Sequence, residues 1–99
     1  MIKHLKKQKK WVEVKKISLK ILTPKGVFLE SSPYSVTVKT KLGYRIAQYG
    51  ITPFVGVISS SNLHILNDNE KIEIPIKSGI VYANKYEVLI FSEDQLSST

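Results

Sequence analysis

The stretch Lys71-Ile72-Glu73-Ile74-Pro75-Ile76-Lys77 places three isoleucines at every second position, with charged residues or proline between them. A spacing of two sends alternate side chains to opposite faces of an extended chain, so one face is apolar and the other polar. That is the signature of a strand half-buried against a core. Just upstream, Asn67-Asp68-Asn69 separates it from the apolar run Leu63 to Leu66, and the pair reads as a hairpin. Just downstream, Ser78-Gly79 bends the chain. Ile80 to Ala83 and Glu87 to Phe91 then bracket Asn84-Lys85 as a second hairpin.

The same grammar continues toward the N-terminus. Ile17, Leu19 and Ile21 alternate with Ser18 and Lys20, and Thr23-Pro24-Lys25-Gly26 reads as a tight turn, with proline fixing φ and glycine free to take a positive one. Val27-Phe28-Leu29 makes a short strand broken by Ser31-Ser32-Pro33. Tyr34, Val36 and Val38 alternate with Ser35, Thr37 and Lys39 before the turn Lys41-Leu42-Gly43. Residues 44–58 give no clean pattern, interrupted by Gly50 and Pro53, and within them Phe54-Val55-Gly56-Val57-Ile58 is expected as a buried strand. Eight to ten short strands with a turn every eight or so residues predict an all-β sandwich or barrel. Pro24, Pro33, Pro53 and Pro75 are spread through the chain and disfavour long helices.

With 99 residues there is room for one domain. Hydrophobic residues at 42% and charged residues at 23% exclude a mainly disordered chain. There is no cysteine, hence no disulfide framework, thiol nucleophile or zinc–thiolate site. The longest apolar runs, such as Val88 to Phe91, fall far short of the roughly 20 residues of a spanning helix, and no apolar stretch follows the basic start as in a secretory signal. A soluble domain is expected.

The net charge of +7 is not evenly spread: the first twenty residues hold eight lysines against Glu13 alone, and residues 21–99 hold seven bases and seven acids. The chain therefore reads as a neutral domain, residues 17–96, with a partly disordered basic arm, residues 1–16, and a polar tail, residues 97–99. Five lysines between Lys3 and Lys10 could meet phosphates, an anionic membrane or an acidic partner, with Trp11 adding a stacking contact. A solvated tail is the plainer expectation, since blocks of like charge repel.

Catalytic constellations are missing. His4 and His64 are the only histidines and have no cluster around them, so a metal site is not expected. There is no phosphate-cradling glycine loop ending in Gly-Lys-Ser/Thr. The acids are dispersed, and no serine has a base and orienter in view. The five tyrosines, Tyr34, Tyr49, Tyr44, Tyr82 and Tyr86, could form a stacking platform, but tyrosine is equally at home in strands. A binding or structural module, without cofactor or small-molecule substrate, is expected rather than an enzyme.

Five segments in order resemble one family. Ile17-Ser18-Leu19-Lys20-Ile21-Leu22-Thr23-Pro24-Lys25-Gly26 is similar to the "L-x-V-x-I-V-T-P-x-G" opening of the epsilon subunit of F-type ATP synthases. Val36-Thr37-Val38-Lys39-Thr40 with Gly43 resembles its "V-T-V-P-T-x-x-G", and Gly50 and Pro53 fall where "L-P-G-H-A-P" would lie. Ser78-Gly79-Ile80-Val81 resembles "S-G-G-F-L", and Val88-Leu89-Ile90 the closing "V-T-V-L-A". The resemblance implies a ten-stranded β-sandwich. It further implies a non-catalytic central-stalk subunit that grips the γ subunit, couples the α/β catalytic head to a membrane rotor ring, and lies in a cytoplasmic complex peripheral to the inner face of the cell membrane. On the family's pattern, γ contact is expected from Thr23, Gly50, Ile51, Pro53 and Phe54. The loop facing the rotor is expected at Lys41, Leu42, Gly43, Tyr44 and Arg45.

The departures are specific. The family's C-terminal helical hairpin has no counterpart before Thr99, so its inhibitory role and ATP site are not expected. Ile51 stands in place of the histidine of "L-P-G-H-A-P". Lys41 and Arg45 stand where an acidic "E-G-E" loop is usual, which reverses the local charge and would weaken docking on basic loops. One alternative keeps the stalk role in a repurposed F-type-like motor without a standard proton ring. Another, of a different class, is a small nucleic-acid-binding β domain whose affinity falls steeply with salt.

Overall fold

The computed structural model describes the backbone of residues 4–7, 10–13, 15–68 and 70–96, and the side chains of 15–68 and 70–96. Two short strands, β1 (His4–Lys7) and β2 (Lys10–Glu13), pair antiparallel as a separate two-stranded unit within the basic arm. Nine more strands follow: β3 (Ser18–Thr23), β4 (Gly26–Ser31), β5 (Ser35–Thr40), β6 (Gly43–Gln48), β7 (Phe54–Ile58), β8 (Ser61–Asn67), β9 (Glu70–Ile76), β10 (Gly79–Ala83) and β11 (Glu87–Ser92).

These nine form one hydrogen-bonded sheet that curls into two facing layers. One layer has the order β4-β3-β11-β10-β7, and the other the order β6-β5-β8-β9. The layers join where Thr40 of β5 pairs with Ile58 of β7. A methyl group added at Gly56 would lie 2.9 Å from Thr40 Cγ2. Glycine there lets the two layers close at this corner. All pairings in the nine-stranded sheet are antiparallel except β3 with β11, where the first and last of the nine strands run side by side.

The alternation seen in sequence becomes the core. Leu19 and Ile21 of β3, Val88 and Ile90 of β11, Val81 of β10, Val36 and Val38 of β5, Leu63 and Ile65 of β8, and Ile74 and Ile76 of β9 are all essentially inaccessible to solvent. Each such side chain contributes about 1.5–3 kcal/mol relative to exposure. The two expected hairpins form, with Asn67 opposite Glu70 and Ala83 opposite Val88. The expectation of a buried strand at 54–58 needs correction. Ile58 is buried and Phe54 packs on the core, but Val55 and Val57 point outward and are exposed. In β4 a register shift leaves Phe28 as the extra residue of a bulge, because Leu29 faces Ile21 while Val27 faces Leu22. The bulge turns Phe28 and Leu29 toward the core and Val27 to solvent.

The register also fixes two ends. Phe54 pairs with Ala83, Ala83 with Val88, and Val88 with Leu19. Ile58 pairs with Gly79, and Gly79 with Ser92, beside the end of β3. The loop 49–53, the turn at Asp68, the turn 84–86 and the root of the arm therefore share one end. The turns 24–25, 41–42, 59–60 and 77–78 share the other.

Candidate functional site

The outer face of the five-stranded layer carries two cross-strand rows. In the first, Val57, Ile80, Phe91, Leu22 and Val27 follow one another across β7, β10, β11, β3 and β4. In the second, Val55, Tyr82, Leu89, Lys20 and Glu30 do the same. Eight of these ten side chains are apolar or aromatic. Val55 is 64% exposed, Ile80 48% and Phe91 46%. Side chains of this size and exposure gather on the order of 500 Å² of apolar surface, the scale at which patches on a single chain mark interaction sites. Lys20 and Glu30 close one corner with a 3.4 Å ion pair.

The opposite outer face has a different character. Its rows are Gln48, Ser35, Leu66, Lys71 and Ile46, Thr37, His64, Glu73, with Tyr44 beside Lys39. Polar and charged groups alternate there with isolated apolar ones, as on an ordinary solvated sheet face. The asymmetry singles out the five-stranded face. Sequence reading did not pick Val55, Val57, Ile80, Tyr82, Leu89 or Phe91 as functional. The signal was present: β7, β10 and β11 are apolar at nearly every position, which is what a strand covered on both faces looks like. In the isolated chain only one face is covered.

The residues suggested by the family pattern separate into two groups. Gly50, Ile51, Pro53 and Phe54 lie together at the 49–53 end. Gly50 has φ +85°, and its N–H donates to the Lys85 carbonyl at 2.8 Å. Ile51 and Phe54 pack against the core, and the Arg45 guanidinium lies 4.3 Å from the centre of the Phe54 ring. Pro53 is exposed. Thr23 is at the other end, where its hydroxyl donates to the Gly26 carbonyl and accepts from Lys25 N–H, both at 3.3 Å, holding the β3–β4 turn. Thr23 and the 50–54 group stand at diagonal corners of the apolar face, so they belong to one surface only if a partner covers that face from end to end.

Lys41 and Leu42 form the two-residue turn at the Thr23 end, and Leu42 is 94% exposed. Gly43, with φ +115°, closes the turn, and Thr40 Oγ1 donates to its carbonyl at 2.8 Å. Tyr44 is exposed under the Lys39 ammonium, 5.7 Å from its ring centre. Arg45 is stacked on Phe54 and so is turned away from this group.

At the 49–53 end, Lys16 Nζ meets Asp68 Oδ2 at 2.7 Å and lies 5.1 Å from the centre of the Tyr34 ring. Lys15 Nζ lies 5.0 Å from the Tyr49 ring centre, and Tyr49 meets Tyr86 edge-on at 5.9 Å. The Lys16 ammonium holds the Asp68 carboxyl well below the usual carboxylate range. Among the described residues no group of three or more metal-ligating side chains comes together, and no helix is long and apolar enough to cross a membrane.

Residues 16–97 match the family model described as the β-sandwich domain of the ATP synthase delta/epsilon chain. The chain is similar to the ATP synthase epsilon chain of Mycoplasmopsis synoviae, 32% identical over 81 residues, covering 80% of this chain and 59% of that one. It is similar too to the ATP synthase epsilon chain of Mycoplasmopsis pulmonis, 35% identical over 71 residues, covering 70% and 50%. It thus spans between half and three fifths of the length of these relatives. Its fold superposes on a chain of the Euglena gracilis mitochondrial ATP synthase structure (OSCP/F1/c-ring) with a TM-score of 0.74 at 18% identity, over 80% of this chain and 51% of that one. A chain of the Tetrahymena thermophila mitochondrial ATP synthase central stalk/c-ring structure gives a TM-score of 0.66 at 18% identity, over 79% and 63%.

Proposed function

The chain belongs to the family of ATP synthase delta/epsilon chain β-sandwich domains, and from that premise we propose that it is an epsilon-like central-stalk subunit of an F-type rotary ATPase. In this reading it does no chemistry. It docks on the γ subunit through the outer face of the five-stranded layer and is joined through γ to the α/β catalytic head. The observation that carries the reading is the pair of apolar rows on that face. A permanent subunit contact needs an apolar centre with a polar rim, and this face has Ile80, Tyr82, Leu89 and Phe91 on its inner strands β10 and β11 and the Lys20–Glu30 pair at its margin.

Thr23 at one corner and Gly50, Ile51, Pro53 and Phe54 at the other mark the edges of the γ contact. Lys41, Leu42, Gly43 and Tyr44 project from the Thr23 end toward the membrane rotor, and Arg45 supports Phe54 rather than the rotor side. In this reading the protein lies on the cytoplasmic side of the membrane, with residues 17–96 as the docking unit and the basic arm, residues 1–16, beside it. The fold suits torque transmission, since a continuous sheet around a close-packed core deforms little under load. Co-expression with the γ subunit of the same organism followed by gel filtration is the test. Co-elution at a 1:1 ratio is expected. Separate elution of two folded proteins would overturn the proposal.

A further inference from the structure

The basic arm is rooted in the layer that carries the apolar face. Lys15 and Lys16 precede Ile17 and β3 directly, and both are held by contacts to Tyr34, Tyr49 and Asp68, which lie on three separate segments at the 49–53 end. The root of the arm is therefore anchored at this end of the sandwich. Upstream, the β1–β2 register sets Lys7 opposite Lys10 and Lys6 opposite Trp11. Strands of four residues extend about 13 Å at 3.3 Å per residue. The whole net charge of +7 is carried by residues 1–20, and residues 21–99 sum to zero, so the sandwich offers no acidic surplus to neutralise the arm. Asp68 is already engaged by Lys16.

We propose that the arm grips an acidic protein surface on the partner that covers the apolar face. The inference rests on the docking reading above. Two observations select a protein surface. The arm springs from the end to which the Val55–Tyr82–Leu89 row lies nearer, so a partner seated on that row is within its reach. The root of the arm also lies at the end opposite Lys41–Leu42, the turn assigned to the membrane side. A set of lysines beside an apolar contact accelerates encounter with a complementary surface, and the acceleration is screened by salt.

The test compares the full chain with a variant carrying Lys6→Ser, Lys7→Ser, Lys9→Ser and Lys10→Ser, all outside the sandwich. Association with purified γ subunit is followed by stopped flow from about 20 to 500 mM salt. The full chain is expected to associate at least about tenfold faster than the variant at low salt, and the two rates to converge at high salt. Equal rates with equal salt slopes would overturn the arm inference and leave the docking reading standing. Failure of both proteins to bind γ would overturn the docking reading and the arm inference with it. Arm-dependent binding to phosphatidylserine vesicles or single-stranded RNA, with no arm dependence toward γ, would also overturn it.

Discussion

A methyl group at Gly79 would collide with the carbonyl oxygen of Phe91 in the neighbouring strand. The obstacle is the backbone of β11, paired on both sides, with β10 and with β3, and so cannot swing aside. Gly79→Ala should therefore lower stability by about 2–3 kcal/mol, read as a shift in urea midpoint at unchanged slope. A change within about 0.5 kcal/mol would contradict the packing described. Asp68 makes a prediction of opposite sensitivity, to pH. Its carboxyl is held below its ordinary range by Lys16, so the pairing stabilises the native state above that range and the contribution is lost as the pH falls through it. Asp68→Asn should be less stable than the wild type near about pH 7, with the gap closing toward about pH 2. A gap that stays constant with pH would mean that the Lys16 contact does not act through charge. Phe54 is only partly buried, so Phe54→Ala should cost less than the roughly 3 kcal/mol at the low end for a fully buried phenylalanine, read as a shift in urea midpoint.

At the scale of elements, the contrast between the two sides of single strands is decisive. Val81 and Ile80 are neighbours in β10, yet Val81 is fully buried and Ile80 is half-exposed. Truncating a core residue such as Ile90→Ala should cost about 3 kcal/mol. Ile80→Glu on the outer face should change stability by less than about 1 kcal/mol. Similar large losses for both in thermal or urea unfolding would show that the outer face is not free in the isolated chain. The same contrast explains what the sequence disclosed. Ile72, Ile74 and Ile76 alternate against charged residues because β9 has one wet face, and the period is plain. β6 resisted reading because its polarity is inverted: Tyr44 and Ile46 face out, while Gly43 and Arg45 share the inward side with Ala47. In β7, β10 and β11 both faces are apolar, which hides the alternation and announces a second covering layer instead. The apolar outer face was thus written in the sequence as an excess of apolar residues, but only the register shows which of them stand together.

For the whole molecule, a neutral sandwich with one apolar face, a polar opposite face and a basic arm at one end is what the proposed docking on a partner subunit requires. The order of five short segments carried the family assignment, although none is decisive alone. Thr23 and Gly50–Phe54 could not be placed at opposite corners of one face without the strand register, because their separation depends on the parallel pairing of β3 with β11. The most direct measurement is the affinity of the γ subunit for the wild type and for Ile80→Glu, by titration calorimetry with both proteins shown folded. Burying a carboxylate at the centre of an apolar contact should weaken binding at least tenfold. An unchanged affinity would contradict the claim that γ covers this face.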